Sequence, residues 1–120
     1  MKNFLAVYTG TKASHDRSGW NELSEAEQGS RRAAGIQAWM EWGKLNAEHI
    51  VDGGSPLGKT KLANRDGLSD TSNYLVGYVI VKAASHADAA KLFEGHPHFS
   101  IFPGDGVEIM ECLPLPGAAD

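Results

Sequence analysis

Nine consecutive residues, Tyr74-Leu75-Val76-Gly77-Tyr78-Val79-Ile80-Val81-Lys82, constrain the fold of this chain more than any other stretch. Aromatic and β-branched side chains dominate them, and these suit a pleated backbone. Successive strand residues point to opposite faces. Leu75, Val79 and Val81 therefore share one side, and Tyr74, Val76, Tyr78 and Ile80 the other. Both sets are apolar. Asn3–Tyr8 repeats the pattern, with Leu5 and Val7 against Phe4, Ala6 and Tyr8, and stops at Thr9-Gly10. Strands of this kind need cover on both sides.

Helices supply one cover. Ser24-Glu25-Ala26-Glu27 fits a capping box, in which the serine accepts from the first-turn backbone and the glutamate reaches back. Ile36, Trp39, Met40 and Gly43 then recur at helical spacing, which predicts a helix over 24–46 with an apolar face. Gly35 and Gly43 cost about 1 kcal/mol each in a helix interior and are expected to permit close packing on a sheet. Residues 11–23 are polar and read as a loop. A short strand is expected around His49-Ile50-Val51, a break at Asp52–Pro56, and a second short strand at Lys59–Leu62 turned by Asn64-Arg65-Asp66-Gly67. Ser85-His86-Ala87-Asp88 opens another helix, which Gly95 and Pro97 stop. A loop over 96–106 leads to the last strand, Val107–Leu113. The order strand, helix, strand, strand, helix, strand is that of a ferredoxin-like α+β domain: βαββαβ, a four-stranded antiparallel sheet and two helices on one face.

Two helices cover one face only. About four apolar side chains on the other, at ~1.5–3 kcal/mol each, favour a homodimer packed sheet to sheet. The length of 120 residues suits one domain, taken as 1–117 with a frayed tail at 118–120. A formal charge of −4 gives no basic footprint for nucleic acid. No long apolar run suggests a membrane span or leader. The lone Cys112, read as a small hydrophobe on the last strand, fits a reducing, cytoplasmic setting.

Several motifs invite a chemical reading. Gly53-Gly54-Ser55-Pro56-Leu57-Gly58-Lys59-Thr60 satisfies the phosphate-loop spacing GxxxxGK[ST], but a turn at 64–67 replaces the helix whose amides would cradle a phosphate, so it reads as a glycine-rich turn. His96-Pro97-His98 offers two imidazoles but no third ligand by spacing, and reads as a cap or surface feature; no metal is expected. His15-Asp16 reads as a solvated loop pair and His86 as exposed surface. The candidates for proton transfer are His96 or His49 as base, Asp52 or Glu108 as the orienting carboxylate, and Trp39 or Tyr78 as pocket wall.

The stretch from Asn46-Ala47-Glu48-His49-Ile50-Val51-Asp52-Gly53-Gly54-Ser55-Pro56-Leu57 to Glu108-Ile109-Met110-Glu111 resembles the YCII-related (DGPF-type) family. Asp66-Gly67-Leu68-Ser69 stands where that family has Asp-Gly-Pro-Phe. Leu75-Val76-Gly77-Tyr78, Val79-Ile80-Val81, Asp88-Ala89-Ala90, Pro97 and Val107-Glu108-Ile109 fill its later positions. The resemblance implies the ferredoxin-like fold assembled as a dimeric α+β barrel. Some members carry a histidine–aspartate dyad with the histidine in the first helix. Residues 24–46 contain no histidine, so no dyad is carried over. Two functions follow as expectations: a small-molecule enzyme using cofactor-independent proton transfer in a cleft between sheet and helices, or a metabolite-binding or regulatory module without catalysis.

Overall fold

A computed structural model describes residues 1–117; the tail expected at 118–120 lies outside the described residues. Strands β1 (Lys2–Thr9), β2 (Ile50–Pro56), β5 (Leu75–Ala83) and β6 (Gly106–Glu111) form one sheet in the order β2-β5-β1-β6. Every neighbouring pair is antiparallel. This is the ferredoxin-like α+β architecture, with the two nonpolar strands at the centre. A separate hairpin, β3 (Thr60–Asn64) and β4 (Gly67–Thr71), is inserted between β2 and β5.

Register decides which residues face the helices. Phe4 pairs with Val81, Ala6 with Val79 and Tyr8 with Gly77. Those residues are buried, and with Ala83, Ala89 and Phe93 they make the core. Trp39 and Trp42 of the long helix α2 (Glu25–Leu45) close over it. The shorter α3 (His86–Lys91), capped by the Ser85 hydroxyl, adds Ala89 on the same side. The α2 start is as the sequence predicts: Ser24 Oγ accepts from Glu27 N, and Glu27 accepts from Ser24 N.

The opposite face has no helix. Leu5 lies between Ile80 and Met110, and Val7 between Tyr78 and Glu108. The inserted hairpin does not fold over it. All of its residues are exposed except the half-buried Thr60. The radius of gyration is 16.6 Å, against about 14 Å for a compact domain of this length. The hairpin is an arm.

Five local expectations are corrected. Residues 11–23 are not a plain loop: Thr11 and Ser14 form a capping box that starts α1 (Lys12–Arg17), and a 3₁₀ turn follows at Trp20–Glu22. The polar run conceals this helix because it has no apolar stripe to read. Asp52–Pro56 is not a break but a bulged continuation of β2. Gly54 makes it possible: its φ of 69° is left-handed, and any Cβ there would fall inside contact with the Tyr78 carbonyl. Residues 96–106 are not all loop, because His96 caps a four-residue helix, α4 (Pro97–Ser100). Gly35 packs not on the sheet but against Phe102, whose ring would lie 2.5 Å from an added Cβ, and Gly43 has nothing close to it. Cys112 lies past the end of β6 and is exposed, so it is no core residue.

Candidate active-site cleft

A cleft of about 440 Å³ opens between α2 and the β2–β5 edge of the sheet. Its size suits a small molecule. Ile36, Trp39 and Met40 form the helical wall, Gly53–Pro56 the strand edge, and His98 with Phe102 one end. Ile36 and Met40 were expected to bury against the sheet. They remain 52 % and 55 % exposed and instead give the mouth an apolar rim. Gly77 leaves room in the floor: an added Cβ would press on the Tyr8 ring at 3.2 Å.

Two neighbouring histidines do different things: His98 borders the end of this cleft, and His96 is buried behind its wall. His96 is 1 % exposed, its ring 4.5 Å from that of Trp39, 4.8 Å from Trp42 and 5.2 Å from Tyr8. Its Nδ1 accepts from the His98 backbone N–H at 3.0 Å. The proton of the neutral ring is therefore on Nε2, which points to Tyr8 Oη at 3.5 Å. Burial, with His98 adding repulsion, lowers its pKa to about 4. The cap reading of His96-Pro97-His98 fits His96. The surface reading does not, since both imidazoles are buried.

His98 has the opposite arrangement. Its Nε2 lies 2.7 Å from the Thr9 carbonyl, which can only accept, so Nε2 carries the proton and Nδ1 the lone pair. Gly104 fits closely over the Nε2 side of the ring; a Cβ there would collide with it. Nδ1 has no protein partner among the described residues, and none of their fully buried side-chain nitrogens is unpaired, so this atom retains contact with solvent space beside the ring. Burial lowers the His98 pKa, opposed by the Thr9 hydrogen bond and by the charge of Asp105. At neutral pH it is an uncharged acceptor. Asp105 is itself held by Arg17 at 3.0 Å, and its backbone N–H donates to the same Thr9 oxygen.

The fold is that of a known enzyme. A solved structure of 5-chloro-2-hydroxyhydroquinone dehydrochlorinase from Burkholderia phenoliruptrix AC1100, in complex with 2,5-dihydroxybenzoquinone, aligns over 90 % of each chain at a TM-score of 0.50 and 14 % identity. No family model matches the sequence, and no curated protein does. At that identity the likeness is one of fold.

The expected site residues do not converge. His96 does not border the cleft, and both its nitrogens are turned to protein groups. His49 sits in a 3₁₀ turn, its Nδ1 3.0 Å from the Lys82 carbonyl, about 17 Å along β5 from the cleft floor. Asp52 is exposed and accepts from Gly54 N, which shapes the bulge. Glu108 lies opposite Val7 on the bare face. Trp39 does wall the cleft. Tyr78 borders it too, but its pairing with Val7 puts its ring on the bare face, so what it offers the cleft is main chain. His15-Asp16 belongs to α1, with His15 Nε2 2.9 Å from Asn21 Oδ1, beside a second depression that His98 also borders. His86 is exposed as expected, with Nε2 2.7 Å from the Ile109 carbonyl. Sequence reasoning passed over His98 as base and Tyr8 as its neighbour. The available signal was Pro97: a proline at the first helical position makes His96 the cap and turns His98 inward. Among the described residues, no three His, Cys, Asp or Glu side chains group as metal ligands, and no helix is long and apolar enough to cross a membrane.

Proposed function

We propose that this protein is a small-molecule enzyme of the YCII-related type that moves a proton within its substrate without a cofactor, in the cleft beneath Trp39. The observation that carries this reading is the His98 ring, fixed by the Thr9 carbonyl with its lone pair on Nδ1 and bordering a cleft of substrate size. In the step, Nδ1 takes a proton from an acidic C–H or O–H of the substrate. The bonding electrons stay with the substrate, and the imidazolium returns the proton to another of its atoms. The Thr9 carbonyl and the Asp105 charge stabilise the imidazolium while it lasts. Tyr8, whose pKa burial pushes up, remains a neutral donor. His96 holds the turn that aims His98, and Asp52 and Gly54 shape the opposite rim.

The active form in this reading is a cytoplasmic homodimer closed into an α+β barrel. The helix-free face of Leu5, Ile80 and Met110 supports it, and so does the arm, since a lone two-stranded hairpin is marginal in water without a surface to rest on.

Solvent deuterium exchange tests the chemistry. The chain is incubated in D₂O with a panel of enolisable and phenolic compounds, and deuterium uptake is followed by mass spectrometry. Catalysed exchange on at least one compound, lost by 100-fold or so in His98→Gln, is expected for a general base. Binding without exchange returns the protein to the class of binding modules, and exchange that survives the substitution removes His98 as the base.

A further inference from the structure

The cleft is unusual for what it lacks. None of the residues bordering it is Lys, Arg, Asp or Glu. A carboxylate or phosphate entering it would lose its hydration shell and meet no counter-charge, which is costly. The walls are aromatic and aliphatic: Tyr8, Trp39, Phe102, Ile36 and Met40. Such a space takes a flat, uncharged ring.

The polar groups at its end are more selective still. The Thr9 carbonyl fixes the His98 proton on Nε2, which makes Nδ1 an acceptor. The His98 backbone fixes the His96 proton on Nε2, which points at Tyr8 Oη, and that leaves the Tyr8 hydroxyl its own proton to donate. The two rings are 5.2 Å apart, centre to centre. A ring with an acceptor and a ring with a donor therefore neighbour one another at the border of the cleft. A neutral hydroxyl both donates and accepts, so it satisfies both; a carboxylate or phenolate has no proton to give Nδ1, and a methyl satisfies neither.

We infer that the ligand is a neutral, planar ring bearing a hydroxyl, a phenol or stable enol, seated with its O–H donating to His98 Nδ1 and accepting from Tyr8 Oη. This rests on the proposed role of His98 but is tested apart from it, by binding alone. Three matched probes are titrated into the full chain by calorimetry, at a pH that leaves the phenol un-ionised: 4-cyanophenol, 4-methylbenzonitrile and 4-cyanobenzoate. The phenol should bind about tenfold more tightly than the methyl compound, the worth of a hydrogen bond, and the carboxylate more weakly than either. Tyr8→Phe, which keeps the ring and removes the donor, should cost the phenol several-fold and leave the methyl compound unchanged; a merely structural loss would weaken both. Equal binding of phenol and methyl compound, preference for the carboxylate, or saturation by none overturns the ligand class. Preference for the carboxylate would leave His98-dependent exchange standing, whereas the expected order without exchange would remove the catalytic reading and keep the ligand.

Discussion

The central strands carry apolar side chains on both faces, yet the two faces have different fates. On one, Phe4, Ala6, Val79 and Val81 are 0–2 % exposed beneath α2 and α3. On the other, Met110 is 43 % exposed and Leu5, Tyr78 and Ile80 are half-buried, with Val7 alone among its central apolar residues buried. Composition does not distinguish the faces. What does is which of them the two crossover connections pass over, a property of topology. An apolar face left bare is a reason to associate.

The largest expected effect tests the covered face. Phe4→Ala removes a fully buried ring and should cost about 3–5 kcal/mol in denaturant unfolding. Leu5→Ala, one residue along on the bare face, should cost far less at high dilution, and its cost should grow with protein concentration. Equal, concentration-independent losses at both positions would mean that the faces do not differ as argued.

Next in size is a charge on the bare face. Ile80→Glu should leave the circular dichroism of the fold intact and halve the mass in sedimentation, because burying an unpaired carboxylate against a partner costs about 3 kcal/mol or more. An unchanged mass, whether of one copy or two, would break the link between the bare face and the dimer.

How much of this was legible beforehand varied with the kind of signal. The strand order followed from apolar periodicity and from caps, and Ser24, Glu27 and Ser85 stand where the sequence predicts. The α1 helix was hidden because Thr11 and Ser14 start it without any apolar stripe. The continuation of β2 was hidden because Gly53-Gly54 looks like a turn, and only the approach of the Tyr78 carbonyl explains a glycine there. The site was the least legible part. Pro97 turns His98 inward, but the partner it meets, Thr9, is 89 residues away in sequence, and no local spacing names that partner. His49 and Asp52 belong to one edge of the sheet and Glu108 to the strand at the other edge, a separation that strand order sets and spacing in the sequence does not show.

The contrast between the two histidines gives a smaller effect with a definite sign. His96 titrates near 6.5 when unfolded and at about 4 when folded. Its stabilising effect is present above the unfolded value and is lost as pH falls through the folded one, since the unfolded chain takes up the proton first. Stability should decline between those limits by about 2–3 kcal/mol. His96→Asn, which retains an acceptor for the His98 backbone, should flatten that decline while lowering stability throughout. A decline equally steep in the variant would assign it to other groups.

The smallest expected effect separates His98 from its surroundings. Asp105 raises the His98 pKa against the larger effect of burial, and Arg17 holds the carboxylate in place. Asp105→Asn removes the charge and keeps the backbone N–H that shares the Thr9 oxygen. The imidazole should then protonate at lower pH, so the acid limb of any His98-dependent exchange should move down, with the neutral plateau unchanged. Arg17→Ala, which frees the carboxylate of its cation, should move the limb the other way. A limb that stays put in both variants would mean that the acid dependence belongs to a group other than His98, and the division of labour between the two imidazoles would have to be drawn again.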